Sequence, residues 1–263
     1  MRNYPSDITL EQFELIREDL ESVKKKTKPR EKDLYDIVCA ILYIIKGGIQ
    51  WRMLPSDFPK WELVYYYFRV WKEPDKNGIS TLDRILSKLV KIIRNDDLRK
   101  DKTTMGIIDA QSVPNADTAE EKGYDAGKKI SGIKRHIVTD NQGLPHAVIV
   151  TTADVTDRNG AIEMIVLNLD NLSRVKKFVV DGGYSGEKFA NAVKELLGTD
   201  VEVEVVKRNE LHKFVVLPVR WVVERTFGWL DKARRLWKNC ERKIHTSSQM
   251  LVFALISILI KRF

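Results

Sequence analysis

Near residue 103 the apolar residues of this 263-residue chain change period, and that change limits what the chain can fold into. Before it the spacing is helical. Leu34, Ile37, Val38, Ile41, Leu42 and Ile45 recur at helical intervals until Gly47-Gly48 ends the pattern, and Thr9 with Gln12 has the form of a capping box opening an earlier helix. A turn containing Trp51, Leu54, Pro55 and Pro59 leads to a third helix bearing Trp61, Tyr65, Phe68 and Trp71, and a fourth follows Ser80 with Ile85, Leu89 and Ile92. Residues 1–102 therefore read as an all-helical domain, and residues 103–263 as a domain of different construction.

Past the change, Met105–Ala110 reads as a buried strand, and Ile130–Thr139 and Leu144–Thr152 flank an Asp140-Asn141-Gln142-Gly143 turn. A helix from about Arg158 to Leu172 follows, then a strand at Lys177–Val180, a helix at Glu187–Leu197, a strand at Val201–Val206 and a helix from Pro218 onward. The order β-β-β-α-β-α-β-α is that of an α/β, ribonuclease H-like fold: a mixed five-stranded sheet flanked by helices, three strands antiparallel and two added through helical crossovers.

Three acids fall where such a sheet converges. Asp109 comes near the end of the first strand, Asp181 directly after Phe178-Val179-Val180, and Glu224 on the last helix. Carboxylates brought together repel, and a hard divalent cation bound through oxygen relieves the repulsion. Two Mg²⁺ ions, or Mn²⁺ in their place, could then drive phosphoryl transfer without a covalent protein intermediate. Gly182-Gly183 beside Asp181 lets a phosphate or metal approach the backbone closely. Taken singly, each acid could equally begin a turn, or in the case of Glu224 pair with Arg220 one helical turn away.

The charge distribution points the same way. Residues 213–263 hold 11 Lys or Arg against 3 acids, which accounts for the whole formal excess of +8. Arg220, Arg225, Lys232, Arg234 and Arg235 lie on or just after the helix of Glu224, where DNA phosphates would meet them; a solvated helix face is the alternative. On the hairpin's first strand, alternation places Lys134 and His136 on one face and Arg135 on the other, either as phosphate contacts or as a polar outer surface. Lys24–Lys28 reads as a polar connection, and His146, His212 and His245 have no ligand spacing. Cys39 and Cys240, in segments that read as helical, suggest neither a disulfide framework nor a zinc site, and both are expected reduced and buried. No secretory signal is seen and the Met250–Ile260 apolar run is too short to span a bilayer, so the cytoplasm is the expected compartment.

Four segments carry a resemblance to a known family: Ile107-Ile108-Asp109-Ala110-Gln111-Ser112-Val113, Gly132-Ile133-Lys134-Arg135-His136-Ile137-Val138-Thr139-Asp140, Val180-Asp181-Gly182-Gly183-Tyr184-Ser185-Gly186 and Arg220-Trp221-Val222-Val223-Glu224-Arg225-Thr226-Phe227. Over nearly its whole length the chain resembles the insertion-sequence transposases of the IS5 group, within the IS4-like DDE class. The resemblance implies Asp109, Asp181 and Glu224 as the catalytic, metal-binding acids, double-stranded DNA as partner, a prokaryotic nucleoid setting, and a homodimer or higher assembly holding two transposon ends. Gly48–Pro55, Trp61 and Tyr67-Phe68 are similar to the helical domain that precedes the catalytic core, which the family uses to recognise terminal inverted repeats; aromatics at that spacing could instead be core. Around the last acid the related families carry a Tyr, Arg, Glu, Lys pattern. Arg220 and Glu224 match it, while Leu217 and Asp231 stand at the Tyr and Lys positions. Cleavage at the inverted repeats followed by strand transfer is thus the expected activity, with a nuclease lacking strand transfer and a DNA-binding regulator as alternatives. The Met250–Ile260 helix is expected to pack on the catalytic core or to serve assembly.

Overall fold

The computed structural model describes residues 4–23, 32–206 and 220–263. Lys24–Lys28, His212, Leu217 and the start of the helix at Pro218 lie outside the described residues. Contacts cluster into two compact units, Met1–Leu89 with Leu230–Trp237 and Gln249–Phe263, and Val90–Trp229 with Lys238–Ser248.

The first unit is helical. Helix α1 (Leu10–Glu21) starts with the expected reciprocal cap: the Gln12 amide donates to Thr9 Oγ1 at 3.1 Å and the Thr9 amide to Gln12 Oε1 at 3.0 Å. In α2 (Leu34–Gly47) the Asp33 carboxylate accepts from the Tyr35 amide at 2.9 Å, and Gly48 closes the helix with φ of 71°. A Cβ at Gly48 would also stand 3.0 Å from Arg234 Cβ. We expect Gly48→Ala to lower stability by about 1–2 kcal/mol in thermal unfolding, because it adds left-handed strain to a close contact; an unchanged melting temperature would contradict this. Helix α3 (Trp61–Lys72) buries Val64, Tyr67, Phe68 and Trp71, with the Trp71 indole donating to the Leu20 carbonyl at 3.1 Å. Those aromatics are therefore core, which removes Trp71 as a base contact. Helix α4 (Thr81–Asp96) begins behind Ser80, whose hydroxyl accepts from the Asp83 amide at 3.0 Å.

The apolar C-terminal run also belongs to this unit. Within the last helix, whose range is Ile244–Ile260, Met250–Ile256 are buried, and Phe253 meets Phe68 at 6.4 Å between ring centroids. The run packs with the N-terminal helices, where the sequence reading expected the catalytic core. Cys39 is buried and Cys240 half-buried, and both are free thiols. Cys240 lies outside any helix, contrary to expectation.

The second unit holds the sheet. Its strands are β1 (Met105–Pro114), β2 (Gly123–Asp125), β3 (Ile130–Thr139), β4 (Pro145–Thr152), β5 (Lys177–Val180) and β6 (Glu202–Val205). The order is β2-β3-β1-β5-β6, with β4 also on β3; β3 is antiparallel to β1, β2 and β4, while β5 is parallel to β1 and β6. This is the ribonuclease H-like arrangement expected, with β2 as an extra short strand. A Gly-Tyr-Asp triplet has no period of its own to reveal it. The crossover helix breaks at Asn168 into α5 (Asp157–Leu167) and α6 (Leu169–Leu172), where the Asn168 side chain donates back to the Met164 carbonyl at 2.9 Å. Helices α5 and α7 (Glu187–Leu197) bury Ala161, Met164, Ile165, Phe189 and Val193 against Ile108, Val138, Phe178 and Val180 of the sheet. The strands end in a helix α8 (Arg220–Leu230) that reaches the sheet with Val222, Val223 and Phe227 buried.

Candidate active site

The parallel register of β1 and β5 pairs Met105 with Lys177, Gly106 with Phe178 and Ile107 with Val179. Asp109 lies two residues beyond this paired stretch on β1 and Asp181 directly follows β5, so both come at the same end of the parallel pair. Alternation puts Asp109 on the Ile107 side of the sheet, opposite Ile108, which faces α5 and α7. A small cleft is lined by Ile107, Asp109, Val179, Asp181 and Val206, and Val223 of α8 closes it. Glu224 follows Val223 and is exposed. Two expected acids thus line one cleft. Among the described residues, however, no three His, Cys, Asp or Glu side chains converge closely enough to hold one metal ion, so Glu224 is on the adjoining helix and not at a common point with the aspartates.

Local hydrogen bonds orient both aspartates. Asp109 accepts from the Ala110 amide at 2.7 Å, and Asp181 caps a short 3-10 turn (Gly182–Tyr184) by accepting from the Gly183 amide at 2.8 Å. Tyr184, in that turn, is 1% exposed with no hydrogen-bond partner for its hydroxyl among the described residues. Burial first, then Asp109, Asp157 and Asp181, push its phenol well above the usual range, so it stays neutral. Asp157, which the sequence reading missed, therefore shares this locality. A Cβ at Gly183 would stand 2.9 Å from Asp181 Oδ1 and 3.9 Å from Asp157 Oδ2, and the Arg158 guanidinium donates to the Gly183 carbonyl at 2.9 Å.

Helix α8 is held by the β3–β4 turn. Arg225 donates to the Gln142 carbonyl at 2.9 Å and Thr226 to that of Gly143 at 3.3 Å, immediately after Glu224. The Arg225 guanidinium lies 4.4 Å from the ring centre of Trp221 and 4.8 Å from that of Trp229, a stacked, half-buried setting. Asp140, fully buried, shapes the turn by accepting from the amides of Gln142 at 2.9 Å and Leu144 at 3.1 Å; it pairs with Arg94, with Arg99 at 3.2 Å and with His146 at 3.5 Å.

Several expected phosphate contacts instead have internal partners. The alternation on β3 is as expected, but β3 lies between β1 and β4, and its polar residues are covered. Lys134, 4% exposed, lies 3.2 Å from Asp125, forms an ion pair with Asp157 at 2.9 Å and donates to the Val155 carbonyl at 2.8 Å. Arg135 donates to Gln111 of β1 at 3.2 Å, and His136, wholly buried, meets Thr151 at 3.0 Å. Burial lowers the His136 pKa to about 4, outweighing Asp157, so the ring is neutral at pH 7. These three are thereby corrected from surface contacts to interior residues. Arg235 is buried too and donates to the Ile49 carbonyl at 3.0 Å, whereas Lys232 and Arg234 are exposed. Arg220 begins α8; its side chain lies outside the described residues.

A family described as "Transposase DDE domain" matches residues 100–260. The chain belongs to the DDE transposase family. A second family, "Putative transposase of IS4/5 family", matches residues 8–77, so helical and sheet segments both have counterparts among transposases. A protein from Burkholderia cepacia described as "Putative transposase for insertion sequence element IS402" is 35% identical over 119 residues, which span 43% of this chain and 55% of that relative. The DDE match contains Asp109, Asp181, Glu224 and the β3–β4 turn. No helix among the described residues is long and apolar enough to cross a membrane.

Proposed function

We propose that the chain cleaves DNA at the terminal inverted repeats of an insertion sequence and joins the resulting 3′-hydroxyl to target DNA. The observation that carries this reading is the single cleft lined by both Asp109 and Asp181 and closed by the residue preceding Glu224. Two carboxylates lining one cleft, with oxygen-only donors, suit a hard divalent cation, Mg²⁺ with Mn²⁺ as substitute; two ions are expected, and Glu224, on the adjoining helix, would have to approach the aspartates to serve as the third carboxylate. Such ions, when bound, activate the attacking water or 3′-hydroxyl and stabilise charge on the phosphate and leaving oxygen. The protein's own contribution is placement. Backbone amides aim Asp109 and Asp181, the β3–β4 turn holds the helix of Glu224, and the neutral Tyr184 excludes water beneath the acids.

Residues 1–102 read the DNA ends in this proposal, and exposed Lys232 and Arg234, with Arg220 and Arg225, contact phosphates. A homodimer or larger assembly holds the two ends. The test is a joining assay with purified protein, flanking DNA ends, a target plasmid and Mg²⁺, run beside Glu224→Gln and a chelator. Joined products that vanish in both controls are expected. Nicks without joining would favour a nuclease, and binding without cleavage would favour a regulator.

A further inference from the structure

Next to the aspartates the second unit has an open cleft of about 1280 Å³, walled by Tyr124 of β2, the loop through Lys128, the first turns of α5 and α7, and Gly183. It exceeds the roughly 300–1000 Å³ of ordinary small-ligand pockets, a size that suits a polymer better than a compact ligand, and its walls mix apolar residues such as Ile162, Phe189 and Ala192 with charged ones. Its position is defined at both aspartates. The Lys128 ammonium donates to the carbonyl of Ala110, the residue after Asp109, at 3.0 Å, and Arg158 donates to the carbonyl of Gly183, two residues after Asp181.

Two of the cleft's acids are committed within the fold. Asp125 and Asp157 are turned inward onto the buried Lys134, and Asp125 also accepts from the Ser112 hydroxyl at 2.6 Å. Burial tends to raise the Asp125 carboxyl, but Ser112, the Lys128 amide and Lys134 together lower it to about 2, so it is spent within the fold. Lys128, Arg158 and Lys188 are exposed at the rim, as are the acids Asp154 and Glu163; of these five, Lys128 and Arg158 have side-chain bonds to residues just after the two aspartates. A polyanion approaching two carboxylates needs fixed positive charge close by, and Lys128 and Arg158 supply it on either side.

We propose that this cleft carries the DNA strand that is cut, its phosphates lying against Lys128, Arg158 and Lys188. This rests on the transposase reading and adds residues that the basic C-terminal segment does not contain. Each phosphate contact contributes a salt-dependent, sequence-independent increment, so replacing all three cations should lower the slope of log affinity against log salt by about 3. The experiment measures binding of an inverted-repeat duplex by fluorescence anisotropy across a salt series. It compares the wild type, a triple variant (Lys128→Ala, Arg158→Ala, Lys188→Ala) and the single variant Lys188→Glu, with melting curves for each. The reduced slope in the triple variant, and weaker binding by Lys188→Glu at an unchanged melting temperature, are expected. If the wild type binds and joins DNA while Lys188→Glu and a folded triple variant keep its salt slope, the cleft assignment is overturned and Lys128 and Arg158 are only backbone braces. A wild type that neither binds nor joins these ends would overturn the transposase reading itself, and this one with it.

Discussion

Asp181→Asn is expected to abolish cleavage and joining while leaving the protein folded and able to bind DNA ends. Asparagine has the same shape, and its side-chain oxygen can still accept from the Gly183 amide, so the turn that carries it is preserved. What disappears is one of the two negative charges that line the same cleft. Stabilisation of charge at the transferring phosphate is worth several kcal/mol, which corresponds to a loss of about a thousandfold in single-turnover cleavage. Relieving the repulsion with Asp109 should leave the melting temperature unchanged or raise it. The same result is expected for Asp109→Asn. Retention of more than about a tenth of wild-type cleavage by either variant would sink the assignment, since groups acting as a unit fail together.

Removing Asp140 should produce the largest loss of stability. Its carboxylate is wholly buried, paired with Arg94 and Arg99, and bonded to two amides of its own turn, so Asp140→Ala strands a buried guanidinium and two N–H groups. Breaking one partner of such a pair costs about 3–5 kcal/mol, or a fall in melting temperature of roughly 10 °C. Burial works against ionisation of Asp140, but the hydrogen bond from His146 and the amides of Leu144 and Gln142 outweigh it and bring the pKa down to about 2. The folded value lies below the unfolded one of about 3.9, so this contribution is complete above the unfolded value and is lost as pH falls through about 2. Wild type should therefore lose stability between about pH 4 and pH 2 by a component that Asp140→Ala lacks, which chemical denaturation at several pH values would measure. Because Gln142 and Gly143 of this turn hold Arg225 and Thr226, cleavage should fall in the variant even at temperatures where it stays folded. A variant melting within about 2 °C of wild type would refute the argument.

Much of the fold is legible in the sequence. The Thr9 and Gln12 cap, the arrest of α2 at Gly48, the five principal strands and the Asp140–Gly143 turn all come from signals contained within a few residues. Asp181 was legible for the same reason, a charge directly after an apolar strand, whereas Asp109 stands mid-way along β1, which runs on to Pro114 past the end expected at Ala110 because Gln111–Pro114 pair with Gly132–Arg135 of β3. Other features had a visible residue but no visible partner. Asp140 read as a turn former, although its main role is to neutralise Arg94, 46 positions away. Lys128, Asp157, Arg158 and Tyr184 carried no period or spacing to mark them, and only the adjacency of the α5 start to the 181–184 turn gives them a place beside the acids.

What the sequence by itself determined is therefore local: where most helices and strands begin, which faces are apolar, and that Asp181 follows an apolar strand. These follow from backbone sterics, capping and side-chain alternation, which act over one or two turns of chain. Only the tertiary structure decided which strand is central. With β1 on one edge of β3 and β4 on the other, Lys134, Arg135 and His136 became interior residues, although alternation alone allowed them to face DNA. The Met250–Ile260 run joined the N-terminal helices for the same kind of reason. An apolar face states that it must be covered, but what covers it depends on pairings between distant segments, whose energies no single segment contains.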